Sequence, residues 1–196
     1  VAKFGYSLKE LVCVEEMELS YAVNLLSTVN ITMRLLRGDS VVKVKPSKII
    51  GKRSYVRKIP PAGKDLDRFM GAIDELVEND DEREAAVLLL ARMFGLRVRE
   101  ACLLDASAAL KEAKATKMIS VARGTKGGRG KKIVRHFPVE KDGMAALMTA
   151  SQLQGSHCCL IPSGMTLIQF INRVRRCWNK VRNNYQLRKI HDLRAA

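Results

Sequence analysis

The sequence predicts a mostly α protein with one small antiparallel β-sheet, an α+β fold. Apolar residues recur at helical spacing in several segments, such as "LDRFMGAIDEL" and "TLIQFINRVRRCWNKV". By contrast, "MISVAR" and "KIVRHFPV" are rich in β-branched residues and flank the glycine-rich stretch "GTKGGRGKK", a pattern that indicates a hairpin. With 196 residues, the chain can bury a hydrophobic core.

The first part of the chain predicts two helices and a basic connector. Ser7 and Glu10 have the spacing of a capping box that opens the first helix. The second helix ends at Gly38, and its predicted inward stripe is Tyr21, Leu25, Val29, Met33 and Leu36. Residues 39–64 combine basic residues with glycine and proline, which favours an extended connector. These features predict two domains, residues 1–60 and residues 61–196.

The second domain is predicted to contain most of the core. Asp65 caps a helix, whose stripe is Leu66, Phe69, Met70, Ile73 and Leu76. "EREAAVLLLARMF" is apolar on most sides, which predicts a central buried helix that ends at Gly95. The hairpin follows, and then a helix over 140–153. The last long helix is predicted to direct toward the core one apolar face, which consists of Leu167, Phe170, Val174, Cys177, Trp178 and Val181.

The charge distribution indicates a polyanionic partner. The net charge is +15, the isoelectric point is 9.9, and a hydrophobic content of 47% excludes a disordered polycation. Basic residues concentrate in 43–64, 117–141 and 171–194, whereas 65–84 is acidic. One such run is commonly a solvated face, but three runs on a chain with a core favour a nucleic-acid surface.

Other classes of protein find little support in the sequence. No apolar run approaches the roughly 18 residues of a membrane span, and no signal-peptide pattern opens the chain. The five cysteines are odd in number and lack a framework spacing, which favours a reducing cytoplasm. Cys158 and Cys159 follow His157, but without a CxxC motif or a second ligand pair they do not predict a metal site.

Three short motifs contain residues that suit chemistry on a phosphate. "FGLRVREACLL" places Arg97 at a helix start with Glu100 one turn later, where the arginine can bind a phosphate or simply pair with the glutamate. "GTKGGR" places Lys126 between glycines at the hairpin tip, without Walker-loop spacing. "HDLR" places His191 and Arg194 on one face of a helical turn.

The order of these motifs resembles the tyrosine recombinases, the phage-type integrases, and within them the prophage and integrative-element branch. The resemblance covers residues 65–196, and 1–60 resembles the end of the helical core-binding domain that precedes the catalytic domain. It implies that Arg97, Lys126, His191 and Arg194 are catalytic and that Glu100 supports Arg97. No tyrosine follows His191, so the sequence is expected to stop before the nucleophile and to be inactive for cleavage.

The resemblance implies a site-specific DNA recombinase that cleaves and rejoins strands through a 3′-phosphotyrosine intermediate, without a metal or cofactor. Its expected partner is double-stranded DNA, with self-association on DNA, in the bacterial cytoplasm at the nucleoid. The expected DNA contacts are Lys43, Lys45, Lys52, Arg53, Arg57, Lys58, Arg129, Lys131, Lys132, Arg173 and Arg176. Two alternatives remain open, a non-catalytic DNA- or RNA-binding module and an unrelated phosphate-handling enzyme.

Overall fold

A computed structural model describes residues 1–38, 43–52, 65–125, 133–155 and 157–195 of the chain. The chain forms two compact units, Val1–Ile59 and Pro60–Ala196. The structure is mostly helical with a two-stranded antiparallel sheet, which confirms the predicted fold class. Among the described residues, no helix combines the length and the apolar character that a membrane crossing requires.

The first unit contains helices α1 (Ala2–Cys13), α2 (Leu19–Arg37) and the short α3 (Pro46–Ile49). Its small core consists of Leu8, Ala22, Leu26 and Ile50. The predicted capping box is wrong, because α1 already begins at Ala2 and the Ser7 hydroxyl donates to the Lys3 carbonyl inside the helix. The predicted end of α2 at Gly38 is confirmed, since this residue adopts the left-handed conformation with φ of 70°.

The predicted inward stripe of α2 is wrong at both of its ends, whereas Leu25 within it is half-buried against the small core. Tyr21 and Leu36 are 56% and 76% exposed, whereas Ala22, Leu26 and Asn30 are buried. With 3.6 residues per turn, the five predicted positions do share one face of the helix, but this face is rotated by roughly 80° from the one that carries Ala22, Leu26 and Asn30. The sequence pattern overlooked Asn30 because a polar residue was not expected at a core position.

The buried Asn30 explains why part of the basic connector is packed. Its side-chain amide donates to the Val44 carbonyl at 2.7 Å, and the Val44 amide donates back to the Asn30 Oδ1 at 3.1 Å. Ile50 joins the core at 7% exposure. The prediction of an unpacked connector is therefore wrong for 43–52, and residues 53–64 lie outside the described part of the chain.

The second unit is built around a central helix. Its helices are α4 (Leu66–Glu78), α5 (Glu82–Met93), α6 (Val98–Leu103), α7 (Ala106–Thr116), α8 (Lys141–Leu153) and α9 (Leu167–Val181). Helix α5 is buried on most sides, as predicted, and it packs against α4, α6, α8 and α9. The Asp65 cap is confirmed, because its carboxylate accepts from the Arg68 amide at 3.1 Å. Of the predicted α4 stripe, Phe69, Ile73 and Leu76 are buried, but Leu66 is 39% exposed.

The predicted hairpin is confirmed as an antiparallel pair of strands. Strand β1 (Met118–Val121) pairs with β2 (Arg135–Pro138), with Met118 opposite Pro138 and Val121 opposite Arg135. The predicted glycine-rich tip over 126–132 lies outside the described residues.

The segment after α9 returns to the end of α5. The Trp178 indole N–H donates to the Arg188 carbonyl at 3.0 Å, which fixes the start of this return. A 3₁₀ helix (Ile190–Ala195) follows and packs against α5. The "HDLR" motif is therefore carried by a 3₁₀ helix, in which residues three apart are aligned.

Candidate active site

Arg97 begins α6 and binds Glu100 twice. Gly95, with φ of 58°, turns the chain between α5 and α6, a conformation that favours glycine. The Arg97 backbone N–H donates to the Glu100 Oε2 at 2.7 Å, and the Arg97 Nη1 donates to Oε1 at 2.7 Å. The Glu100 side chain is fully buried, and that of Arg97 is 37% exposed. The Arg97–Glu100 pairing expected of a purely structural arginine is thus present, although the guanidinium remains partly accessible.

A second arginine, which the sequence motifs missed, also binds Glu100. The Arg135 Nη1 donates to the Glu100 Oε2 at 2.9 Å and to Oε1 at 3.2 Å. Its guanidinium carbon lies 4.7 Å from the centre of the Phe137 ring, a cation–π contact from the same face of β2. Since Arg135 stands 35 positions after Glu100, no local spacing in the sequence could indicate this contact.

The surroundings keep Glu100 ionised despite its burial. Burial opposes the charge, but the hydrogen bonds from the Arg97 backbone and side chain and the charges of Arg135 and Arg97 outweigh it. Together they lower the pKa of the Glu100 carboxyl from its ordinary value. A buried carboxylate with two cationic partners can hold both guanidinium groups in place.

Arg194 approaches the same site from the 3₁₀ helix. Its Nε donates to the Gly95 carbonyl at 2.9 Å, so the turn that starts α6 also holds this arginine. Burial lowers the pKa of the Arg194 guanidinium, and the positive charges of Arg97 and Arg135 lower it further, whereas Glu100 opposes them. His191 lies one 3₁₀ turn earlier and is exposed.

The site therefore carries more positive than negative charge. Arg97 and Arg135 pair with the Glu100 carboxylate, and Arg194 lies within electrostatic reach of all three, so three positive charges act with one negative charge among these described groups. Such an arrangement is electrostatically favourable only with an anion nearby or with solvent screening. Chemically, planar guanidinium groups suit the oxygens of a phosphate.

The chain that leads to Lys126 leaves β1 beside α6. Gly124, with φ of 77°, lies so close to Arg99 that a Cβ on it would stand 3.0 Å from the Arg99 carbonyl oxygen. Thr125 is the last described residue before the glycine-rich stretch. Lys126 itself lies outside the described residues, and its role stays a prediction.

The predicted DNA contacts fall into three groups. Lys43, Lys45, Lys52 and Arg176 are exposed. Arg173 instead binds Asp81 at 3.1 Å and Glu84 at 2.7 Å, so two carboxylates already neutralise it, and its contact with DNA stays a prediction. The remaining predicted contacts lie outside the described residues: Arg53, Arg57, Lys58, Arg129, Lys131 and Lys132.

Tyr185 occupies an acidic environment on α4. Its ring packs on Gly71, where an added Cβ would come within 2.6 Å of the ring. Desolvation raises the pKa of the Tyr185 hydroxyl, and so do the charge and the hydrogen bond of Glu75 and the charges of Glu78 and Asp74. These carboxylates would repel a phosphate from this hydroxyl.

No metal centre is formed by the described part of the chain. Within it, no group of three or more His, Cys, Asp or Glu side chains has an arrangement that could hold a metal ion. The five cysteines are free thiols.

Comparison with known proteins places these features in a family. A family described as Integrase matches residues 56–196, which include the second unit with the arginine site. No curated protein and no solved structure was found to match the chain. Because the family match covers well over half of the chain, the protein belongs to the integrase family, as the order of its three motifs predicted.

Proposed function

We propose that this chain carries the phosphate-binding part of a tyrosine-type, site-specific DNA recombinase. The family match supports a role in integration and recombination. The observation that carries the finer proposal is the cluster of Arg97, Arg135 and Arg194 around the buried Glu100. A cluster of this kind matches the needs of strand cleavage at a phosphodiester.

The charge of the cluster matches the charge that develops in the reaction. A phosphodiester carries one negative charge, and attack on its phosphorus places a second one on the non-bridging oxygens. Donors that are already oriented toward this charge stabilise the transition state more than the ground state. Arg97 and Arg194 reach the site from different elements, α6 and the 3₁₀ helix, so they can hold both non-bridging oxygens.

The proton transfers are assigned to Lys126 and His191. An alkoxide is a poor leaving group, so the departing 5′ oxygen needs a proton, which Lys126 in the glycine-rich stretch can donate. His191, exposed one turn before Arg194, can bind the phosphate or accept the proton of the attacking hydroxyl. Because the phosphotyrosine linkage keeps the energy of the broken bond, rejoining requires no nucleotide cofactor.

The nucleophilic tyrosine is proposed to come from outside these 196 residues. Tyr185 is the one tyrosine in the sequence of the second unit, and its hydroxyl lies among the carboxylates of α4. A hydroxyl with a raised pKa in an acidic environment is poorly suited to attack an anion.

An adduct assay tests this function. A preferred duplex is first selected from a pool of random sequences, and a nicked version of it then traps any covalent intermediate. The 196-residue chain should bind this duplex without forming an adduct. The same chain joined to the coding sequence that follows Ala196 should form a 3′-phosphotyrosyl adduct, which peptide mapping locates.

Two outcomes would contradict the proposal. An adduct mapped to Tyr185 would show that the nucleophile is already present. A stop codon directly after Ala196, or an extended chain that binds duplex without any adduct, would favour a non-catalytic binding module.

A further inference from the structure

We propose that Arg135 is a positioning residue that shares the Glu100 carboxylate with Arg97 and thereby keeps Arg97 available to bind an anion. The inference rests on the proposed function, since it assigns a role within the same phosphate site. It concerns a residue outside the three sequence motifs.

Charge neutralisation is the first step of the argument. Glu100 is fully buried and ionised, so its negative charge must be balanced by nearby cations. If Arg97 were its sole cationic partner, the pair would be neutral and would attract an anion weakly. Arg135 binds both oxygens of the same carboxylate, at 2.9 and 3.2 Å, and supplies the missing positive charge.

The second step concerns the geometry of the two arginines. Arg97 uses its backbone N–H and Nη1 for Glu100, while its side chain stays 37% exposed. Arg135 reaches the carboxylate from β2, where Phe137 supports its guanidinium, and it is 31% exposed. Since the two arginines come from different elements, Glu100 joins α6 to β2 while both guanidinium groups stay partly accessible.

Neutralisation by Arg135 predicts a specific pattern of rescue. Arg135→Gln removes one positive charge and leaves Glu100 to neutralise Arg97. Glu100→Gln removes the negative charge but keeps an oxygen that can accept from the Arg97 N–H. The double variant therefore has the same net charge at the site as the original chain. If Arg135 acts through Glu100, the second substitution should compensate for the first.

The experiment measures sulfate binding at the site in the ¹⁵N-labelled 196-residue chain. Sulfate is a tetrahedral dianion, and shifts of the Arg97 and Val98 amides in a titration at constant ionic strength report its dissociation constant locally. Arg135→Gln should weaken binding about tenfold, because Glu100 then neutralises Arg97 and the anion loses the equivalent of one charge-assisted interaction with the Arg97 guanidinium. Arg135→Gln with Glu100→Gln should return to within about threefold of the original chain. Arg135→Lys should also stay within about threefold, because neutralisation of Glu100 requires the positive charge rather than the guanidinium fork.

Arg68→Gln is the matched control. Arg68 also pairs with a carboxylate, Asp65 at 2.8 Å, on the first turn of α4. The control loses the same charge from the protein and should leave sulfate binding at the Arg97 and Val98 amides unchanged. An equal loss in Arg68→Gln would mean that overall charge alone sets the affinity, and it would overturn the proposal.

The remaining outcomes separate the inference from the proposed function. If the original chain binds no sulfate at these amides, the phosphate-site assignment fails, and the proposed function fails with it. If it binds sulfate but Arg135→Gln binds equally well, only the role of Arg135 is wrong.

Should Arg135→Gln fail to fold, the role of Arg135 is tested by comparing sulfate binding in Glu100→Gln with sulfate binding in the double variant. Without the Glu100 charge, loss of Arg135 should change affinity by less than about threefold. A tenfold loss would mean that Arg135 contacts the anion directly, and it would overturn the positioning role.

Discussion

At the scale of single residues, Glu100 gives a buried negative charge to a site proposed to bind a negative substrate. This arrangement is understandable because three arginines would repel one another without a counter-charge. Glu100 holds Arg97 and Arg135 at fixed distances, and its two oxygens accept all of the hydrogen bonds involved. The carboxylate therefore makes the arginine cluster compatible with a stable fold.

Glu100→Gln tests this stabilising role through pH. The folded-state pKa of Glu100 is lowered, so its contribution to stability is fully present above the ordinary value of 4.5 and is lost as pH falls through the folded pKa. We expect the original chain to be more stable than Glu100→Gln at neutral pH. The difference should shrink progressively below about pH 4.5. Urea unfolding between neutral and acidic pH measures it.

Glu84 provides the opposite case on the same molecule. Burial raises the pKa of the Glu84 carboxyl despite the charge of Arg173. Its ionisation therefore costs stability, and the protonated form contributes a stability that is lost as pH rises through the raised pKa. Glu84→Gln should thus show a pH dependence of opposite sign to Glu100→Gln. The same sign for both would contradict the assigned environments.

The sequence predicted part of this residue-level arrangement. The order of the three motifs, and the family resemblance that it carries, pointed to Arg97, Glu100 and Arg194, whereas the spacing within each motif predicted only that the paired side chains share one helical turn. Arg135 was missed since its partner comes from another element and because an arginine in a strand carries no local signal. The contact between Arg194 and the Gly95 carbonyl also required the tertiary structure.

At the scale of elements, α5 is the helix on which the site is assembled. The turn at its C-terminal end leads into α6, the 3₁₀ helix packs against it, and α9 is tied to its N-terminal turn by Arg173. The Arg173 Nε contacts Glu84 at 2.7 Å, and the Glu84 side chain is only 3% exposed. This ion pair connects α5, which precedes the "FGLRVREACLL" motif, with α9, which precedes the "HDLR" motif.

Arg173→Met should destabilise the second unit because it leaves the buried Glu84 without its cation. We expect a loss of about 3 kcal/mol, the lower end for a broken buried pair, since Arg173 is itself partly exposed. The double variant with Glu84→Met should recover most of this loss, because no unpaired charge remains. Urea unfolding measures both free energies.

Arg175→Met is the matched control for this prediction. Arg175 is exposed on the same helix and hydrogen-bonds to Asn172, one turn away on α9. Its replacement should change the free energy of unfolding by less than about 0.5 kcal/mol. If Arg173→Met changed the free energy of unfolding just as little, the contact between α5 and α9 would not contribute measurably to stability.

Elements with strong periodicity were the easiest to predict from sequence. Helix α9 follows the predicted stripe because its apolar residues recur without interruption on one face. Helix α2 did not, since two of its three buried positions are Ala22 and Asn30, which contribute little to a hydrophobic pattern. No pattern indicated α7, whose buried positions are alanines and so give little contrast with its exposed face.

At the scale of the whole molecule, both units present basic residues. Lys43 and Lys45 flank Val44, whose backbone forms two hydrogen bonds with the Asn30 side chain of α2. These two lysines therefore extend from a segment that is fixed to α2. Arg176 is exposed on α9 in the second unit. A net charge of +15 alone would give nonspecific attraction to DNA, but ordered lysines can make definite phosphate contacts.

Duplex binding should therefore depend steeply on salt, and the dependence should respond to specific lysines. Each phosphate contact releases counterions and contributes about 0.9 to the slope of log affinity against log salt. We expect a slope of about −4 or steeper for the 196-residue chain, measured by fluorescence anisotropy on a duplex between low and physiological salt. Replacing both Lys43 and Lys45 by glutamine should reduce the magnitude of the slope by up to about 1.8.

The same loss of charge elsewhere in the first unit distinguishes contacts from net charge. Lys3 and Lys9 are exposed on α1 and lie outside the basic runs, so Lys3→Gln with Lys9→Gln removes two charges without removing a predicted contact. This variant should keep the slope of the original chain, because the counterions released are those displaced at the phosphates that the protein touches. Equal reductions in both pairs would mean that net charge governs binding. A flat salt dependence in the original chain would contradict a nucleic-acid partner for the whole molecule.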